Sequence, residues 1–505
     1  MGIYLLGIDV GTTHCKAGLF DQQGRLVQVA SRLSRSLKSS KGFFYYDPQE
    51  LWASLAAAIR EIIQGIPTAQ IAAVGITSMA ETGMLVDRLS GAPRTDLIPW
   101  FDSSPTPQEE TLRQADDLVE RFCRASIRPN FKCSLAKILW LREQDENLLR
   151  EAIWLMAADT IAYQLTGVMG TDYSLAGRSY AFRIDQKSWD APWLGSLGVD
   201  PDIFPQPLPS GALLGRVHLQ AAQFSGLLAG TPVAIAGHDH VCAAFAAGGH
   251  SPGQVIDSMG TAEAIEGVFA ERPLNAEDYR SGLVFGCHVV PGMNYWMGGL
   301  SASGGSVEWL RAALGDPELS YSDLSALLET TNPTPTGILY FPYLAGSGSP
   351  HSDLRVRAAF VGLDTAHRRA DLARAVLEGT AYEIEFIRRV AESVIGMPVE
   401  QITVSGGGTR NPHWMQIKAD VSGCRLEALD MPEATLLGAA LVAGVGCGVY
   451  PDAQTALASV DRSERTVYLP DSARHKVYSS YYEIGFLALQ SPLRAIAQEL
   501  ARMEI

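Results

Sequence analysis

The chain has 505 residues, 47% of them hydrophobic and 19% charged, which is material for two to four domains of about 150 residues and unlike a disordered or fibrous protein. A formal charge of −15 sets nucleic acid and anionic membranes at a disadvantage as partners, because an acidic surface repels their phosphates. Seven cysteines without a CxxC pair read as free thiols in a reducing, cytoplasmic compartment.

The chain opens on "MGIYLLGIDVGTT", which has no basic leader and reads as a strand and not a signal peptide. "KAGLFD" and "LVQVASR" continue as strands around a "QQGR" turn. In "DPQELWASLAAAIREIIQ", Asp47 caps a helix, Pro48 takes its first position and apolar residues recur at helical spacing. "IAAVGIT" is a short buried strand. Residues 101–230, rich in Pro, Trp and isolated polar residues, read as an elaboration of the first half. "TPVAIAG" is another apolar strand and runs into "HDHVCAAFAAGG", and a domain boundary falls in "GGHSPG". Beyond it "IDSMGTAEAIEGVF" echoes "IDVGTTHCKAGLF", with Ile-Asp ahead of a Gly-Thr pair in both.

Further on, "YWMGGLSASGGSVEWLRAAL" and "QITVSGGGTRNPHWMQIKADVSG" each read as strand, glycine-rich turn and helix. A long amphipathic helix stops at Gly396 between them. "RLEALD" and "PEATLLGAALVAGV" make one more strand-helix pair, whose apolar run is shorter than the roughly 20 residues of a membrane span. The helical stretch from about 473 is expected to pack on the second half.

No Gly-Lys dipeptide occurs, so a GxxxxGK[ST] phosphate loop is excluded. "DVGTT" offers another device, because Gly11 allows a tight hairpin whose amides, with the Thr12 and Thr13 hydroxyls, form a nest for an anion. Asp9 is placed to hold Mg²⁺ through water, and Lys16 to reach a terminal phosphate. Alone, a DxGT is most often a plain hairpin. The second pair, Gly260-Thr261, and the run Gly406 to Gly408 ahead of a helix turn three weak features into a set.

That set, in chain order, resembles the FGGY carbohydrate kinases of the actin-like ATPase superfamily. The motifs are "GIDVGTTHCKAGLFD", "GITSMAETG", "PWFDSS", "IAGHDHVCAA", "SMGTAE", "GGLSASGGSVEWL", "FPYLAGSGSPHSDLRVRAAFVGLD" and "VSGGGTRNPHWMQIKAD". The resemblance implies an α/β protein of two actin-like (ribonuclease-H-like) domains, at 1–248 and 249–505, with a ligand cleft between them. It implies ATP and Mg²⁺ as cofactors, a sugar or polyol as the small-molecule partner, and leaves a homodimer open. Carried over by motif, Asp9, Thr12, Thr13 and Lys16 face metal and phosphates. Gly260 and Thr261 meet the transferred phosphate, and Gly304, Glu308, Gly407 and Asn411 line the nucleotide site. Asp239 is then the catalytic base that takes the acceptor's hydroxyl proton.

Other readings stand beside these. An Asp at the head of a helix is normally a cap. His238 and His240 are two ligands at most, too few for a zinc site, and His240 is a candidate substrate contact. At Ala80-Glu81 glycerol kinases carry Arg-Glu and xylulose kinases Met-His, so both named acceptors are in question. Trp100 is a candidate wall for a sugar face and Asp102 a candidate acceptor for its hydroxyls; the bland alternatives are a core Trp and a turn Asp. Glu81 and Asp102 together favour a neutral polyhydroxylated acceptor over a sugar acid: a xylulose-, ribulose- or fuculose-like ketose, or a tetritol. The competing functions are a nucleotide-switched binding protein of the actin or heat-shock type, and a catalytically silent sugar sensor.

Overall fold

The computed structural model describes residues 2–462 and 464–503. Its first sheet begins as an antiparallel meander of β1 (Tyr4–Val10), β2 (His14–Asp21) and β3 (Leu26–Leu33). Helix α1 (Pro48–Ile62) covers β2 and β3, and its first free amides are capped by Asp47, whose Oδ1 accepts from Gln49 N–H at 2.8 Å. β4 (Ile71–Ser78) returns parallel to β1, and after the elaboration β5 (Leu213–Arg216) and β6 (Pro232–His238) complete the order β5-β6-β4-β1-β2-β3. β1, β4 and β6 are near-continuous apolar runs because both faces of the sheet are covered. α2 (Asp239–Ala246) follows β6 directly.

The second sheet repeats this plan. β7 (Val255–Met259) pairs antiparallel with β8 (Glu263–Ala270), β9 (Val284–Cys287) and β10 (Met293–Leu300) extend that side, and β11 (Gln401–Ser405) runs parallel to β7. With β12 (Arg425–Leu429) and β13 (Arg465–Tyr468) the order is β9-β10-β8-β7-β11-β12-β13. Helices α3 (Gly304–Leu314), α4 (Arg369–Ile395), α5 (Pro412–Ser422) and α6 (Ala434–Gly446) belong to this half of the sequence. The echo between the halves is therefore structural: Ile8-Asp9 ends β1 as Ile256-Asp257 lies in β7, each at the centre of a meander-plus-parallel-strand sheet.

Two expectations change. Helix α6 does not stay with the second sheet but lies on β1 and β4 of the first, beside α2. The approach is backbone to backbone: a Cβ on Gly7 would run into the carbonyl oxygen of Leu436, and one on Gly438 into that of Cys242. The segment 101–230 is not confined to the first half either. Its Phe122 and Phe182 are buried in the second core, and Arg128 Nη1 donates to the carbonyl of Leu283 at 3.2 Å. Each strip of sequence thus crosses to the other half, because an apolar strip packs on whichever exposed sheet face it reaches. The C-terminal helices do dock on the second half, where Arg474 Nε meets Asp420 at 2.6 Å. Among the described residues, no helix is long and apolar enough to cross a membrane.

Candidate active site

A cavity of about 430 Å³ opens in the second half between the β7–β8 turn, the start of α3 and the β11–α5 turn. Gly260, Thr261, Gly304, Glu308, Gly407 and Asn411, all expected at a nucleotide site, line it together with Met259, Val307, Tyr321 and Trp414. The walls are built as one piece. Gly304 N–H donates to Gly260 O at 3.1 Å and Gly305 N–H to Thr261 O at 3.0 Å, so α3 starts on the hairpin's own carbonyls. Gly406 holds φ +96°, and a Cβ there would stand 2.5 Å from Met259 O; only glycine lets the two turns meet. Asn411 caps α5 by accepting from Trp414 N–H at 3.1 Å. Glu308 accepts from the Tyr321 hydroxyl, and Arg311 stacks 3.9 Å above the Tyr321 ring. Glycine floors beside apolar walls make a slot for a flat, partly polar ligand.

Beneath the second hairpin lies a buried ion cluster that no local pattern announces. Lys418 Nζ meets Asp257 Oδ2 at 2.6 Å and also the carboxylate of Glu263, which accepts from Ser303 Oγ. Burial, then the neighbouring Asp257 charge, pushes the Glu263 carboxyl up to about 8.

The first hairpin is tighter. Gly11 N–H donates to His14 O at 3.1 Å, and Thr13 stands exposed at the tip. The Thr12 hydroxyl accepts from Trp100 Nε1 at 2.9 Å, and the Tyr46 hydroxyl donates to Thr12 O at 2.8 Å. Trp100, the candidate wall for a sugar face, is thus bonded to the first hairpin through its indole N–H. Lys16, expected to reach a phosphate, gives its ammonium to both oxygens of Glu433 at 2.8 Å. Glu433 sits in the left-handed region (φ +59°) just ahead of α6 and tethers the first hairpin to the helix that crosses the seam.

Asp9 and Asp239 meet at the mouth between the halves. The Asp9 carboxyl is raised well above its usual range, by burial first and then by the Asp239 charge, and its Oδ1 is buried without a hydrogen-bond partner. Asp239 is the first residue of α2 and not its cap, a position His238 holds. Its Oδ1 accepts from His240 N–H at 2.7 Å and lies 3.2 Å from His238 Nε2. Burial pushes His238 down to about 3, so it is neutral near pH 7. The two imidazoles stand 5.4 Å apart, His238 ending the strand and the exposed His240 already in the helix. Among the described residues, no three His, Cys, Asp or Glu gather as a metal site.

The acceptor candidates divide. Asp102 is 2% exposed, and backbone amides take both its oxygens: Phe44 N–H at 2.7 Å and Ser104 N–H at 3.0 Å. These two bonds tie Asp102 to the 43–45 and 102–104 loops. Ala80 is buried beside Glu81, which has φ +61°, an uncommon conformation for a residue with a side chain. Arg178 Nε donates to Glu81 Oε1 at 2.9 Å. Arg178 lies 97 residues from Glu81 in sequence, and no local spacing signals the pair.

The FGGY family's N-terminal domain pattern matches residues 4–246 and its C-terminal domain pattern residues 258–447. The chain is similar to a xylulose kinase of Staphylococcus epidermidis, 28% identical over 487 residues and 95% of either chain. It is also similar to a glycerol kinase of Gloeobacter violaceus, 30% identical over 450 residues and 89% of either chain. Among solved structures, the xylulose kinase of Rhodospirillum rubrum superimposes with a TM-score of 0.89 at 26% identity, covering 98% of this chain and all of that one. Two sheets of one plan, a cavity against the second Gly-Thr turn and this likeness along nearly the whole chain agree: the protein belongs to the FGGY family of carbohydrate kinases.

Proposed function

We propose that this enzyme transfers the terminal phosphoryl group of ATP to a hydroxyl of a neutral sugar or polyol, with Asp239 as general base. One observation carries the assignment of the base: residues 9 and 239, far apart in sequence, place two carboxylates in one field at the mouth of the cleft.

ATP would lie with its base and ribose in the cavity between Glu308, Gly407 and Asn411, and its phosphates toward Gly260, Thr261 and the Thr13 tip. Mg²⁺ would neutralise charge on the triphosphate, held through water by Asp9, whose orphaned buried oxygen and raised carboxyl suit a hard cation. Asp239 orients the acceptor hydroxyl and takes its proton as the new oxygen–phosphorus bond forms. Neutral His238 buttresses that carboxylate from behind. Lys16 and Glu433 tie the first hairpin to the crossing helix, so α6 would move with the first sheet when the two halves close and exclude water. Seven free cysteines suit a cytoplasmic enzyme.

The relatives named for xylulose and glycerol carry a ketopentose and a triol as acceptors; a neutral polyhydroxylated acceptor is the class we assign here. The comparisons do not favour the switched binding protein or the silent sensor. The test is ADP release from ATP·Mg²⁺ with ketoses, deoxyketoses, tetritols and glycerol, wild type beside Asp239→Asn. An acceptor-dependent rate that falls about a hundred- to ten-thousandfold in the variant, with ATP binding kept, is expected. Equal hydrolysis with every acceptor, indifferent to Asp239, would sink the kinase assignment.

A further inference from the structure

We propose that Arg178 is the positioning residue of the acceptor pocket: it aims the Glu81 carboxylate at the acceptor and joins it to Tyr295 of the second half, which selects uncharged acceptors with several hydroxyls. The inference rests on the kinase reading and names the acceptor chemistry within it.

Glu81 is where the observations begin. Its left-handed backbone is held by two cations. Lys137 Nζ, fully buried, donates to the Glu81 carbonyl at 2.5 Å, and Arg178 donates through Nε and Nη2 to the carboxylate. Both Arg178 bonds fall on Oε1, so among the described residues Oε2 keeps its lone pairs for another donor. A buried acid in a disfavoured conformation, secured at backbone and side chain but open at one oxygen, is unnecessary for packing. It is what a hydroxyl-binding site requires.

The opposite wall comes from the second half. Tyr295, on β10, is fully buried among Ala236 and Val241 of the first half, with its hydroxyl beside the Arg178 guanidinium. That guanidinium is the strongest charge acting on it. On the neighbouring β8, Glu266 has a buried, unpartnered Oε1 within the field of Asp239, and His238 Nδ1 is a second orphan in that field. Buried polar groups in folded proteins are almost always paired, so two orphans, one from each half, beside Asp239 suit ligand hydroxyls. Glu81 neutralises Arg178, and Asp239 and Glu266 add acids. An acceptor carboxylate or phosphate would meet these acids, whereas a polyol offers them hydroxyl donors.

The test is steady-state ADP release with glycerol, erythritol, D-xylulose, D-ribulose and D-gluconate, for wild type, Arg178→Gln, Arg178→Lys and Tyr295→Phe, each checked for folding by circular dichroism. Arg178→Gln should raise KM for the best acceptor about ten- to a hundredfold, with KM for ATP unchanged, and should abolish the preference for longer polyols over glycerol. Arg178→Lys should recover part of the loss. Tyr295→Phe removes the hydroxyl beside Arg178 and keeps the ring in place, so melting should hold while acceptor KM rises severalfold. Folded Arg178→Gln and Tyr295→Phe with wild-type acceptor KM and preference overturn the inference; if Arg178→Gln does not fold, Tyr295→Phe decides by itself. D-gluconate as the best wild-type acceptor also overturns it and leaves the kinase intact. A wild type that answers no acceptor overturns both.

Discussion

Asp9 and Asp257 occupy the same place in two sheets of one plan, each just after an isoleucine and just ahead of a Gly-Thr turn. At Asp257 a buried lysine from α5 closes the charge, with Glu263 and Ser303 completing the cluster. An Oδ1 buried without a hydrogen-bond partner is common to both aspartates, but at Asp9 the nearest cation, Lys16, gives its hydrogen bonds to Glu433. A compensated carboxylate is framework, because its field is cancelled where it stands. An uncompensated one is a site, because it needs a cation or a proton to become comfortable. The duplicated plan thus closes one aspartate with a lysine and leaves the other open.

Substitution of the two aspartates should separate these roles most widely. Asp9→Asn is expected to lower phosphoryl transfer at least about a hundredfold while melting holds or rises, since a poorly compensated buried acid is removed. Asp257→Asn should instead lower the melting temperature, with activity following the folded fraction. Calorimetry beside ADP release reads both, and an Asp257→Asn protein that melts normally without activity would break the comparison.

Lys418→Met sharpens it from the other side. Two buried acids then lose their cation, at a cost of about 3–5 kcal/mol by denaturant titration. A loss under about 1 kcal/mol would mean the cluster is not framework.

A smaller effect is read by pH. Burial, then the Asp239 charge, raises Glu266 to about 8 from the usual carboxylate range near 4.5. The folded state then holds a proton that the unfolded state has lost. Its stabilising contribution is full below about pH 4.5 and disappears as pH rises toward 8. Glu266→Gln should flatten the fall of melting temperature between pH 5 and 8, and Asp239→Asn should shift that fall to higher stability at pH 8; unchanged slopes in both would remove Glu266 from the cleft's electrostatics. Least of all, a double-mutant cycle of Lys16→Met with Glu433→Gln should give a coupling at or below about 1 kcal/mol, because the two side chains are 32% and 24% exposed. A larger coupling would make the tether a structural lock.

Most of the cavity wall in the second half was legible because its signals are local. A Gly-Thr turn between two strands and a glycine run before a helix each state their backbone geometry within five residues, and Gly260, Thr261, Gly304, Glu308, Gly407 and Asn411 line one cavity. The surroundings of Glu81 and Asp102 were not legible in this way. Two backbone amides from separate loops bond Asp102. Arg178 lies 97 residues from Glu81, and nothing near either marks the pair.

What the sequence by itself determined is the repeated strand order, the helix caps at Asp47 and Asn411, the stop at Gly396 and the two Gly-Thr turns, because propensity, period and turn chemistry act over a few neighbours. What only the tertiary structure decided is which charges are left open. Helix α6 could cover either sheet by its apolar pattern, and it lies on the first because Gly7, Gly75 and Gly438 let backbones touch there. That choice carries Glu433 to Lys16 and leaves Asp9 facing Asp239, since a charge is compensated by what folding brings within a few ångströms and not by what stands beside it in the chain.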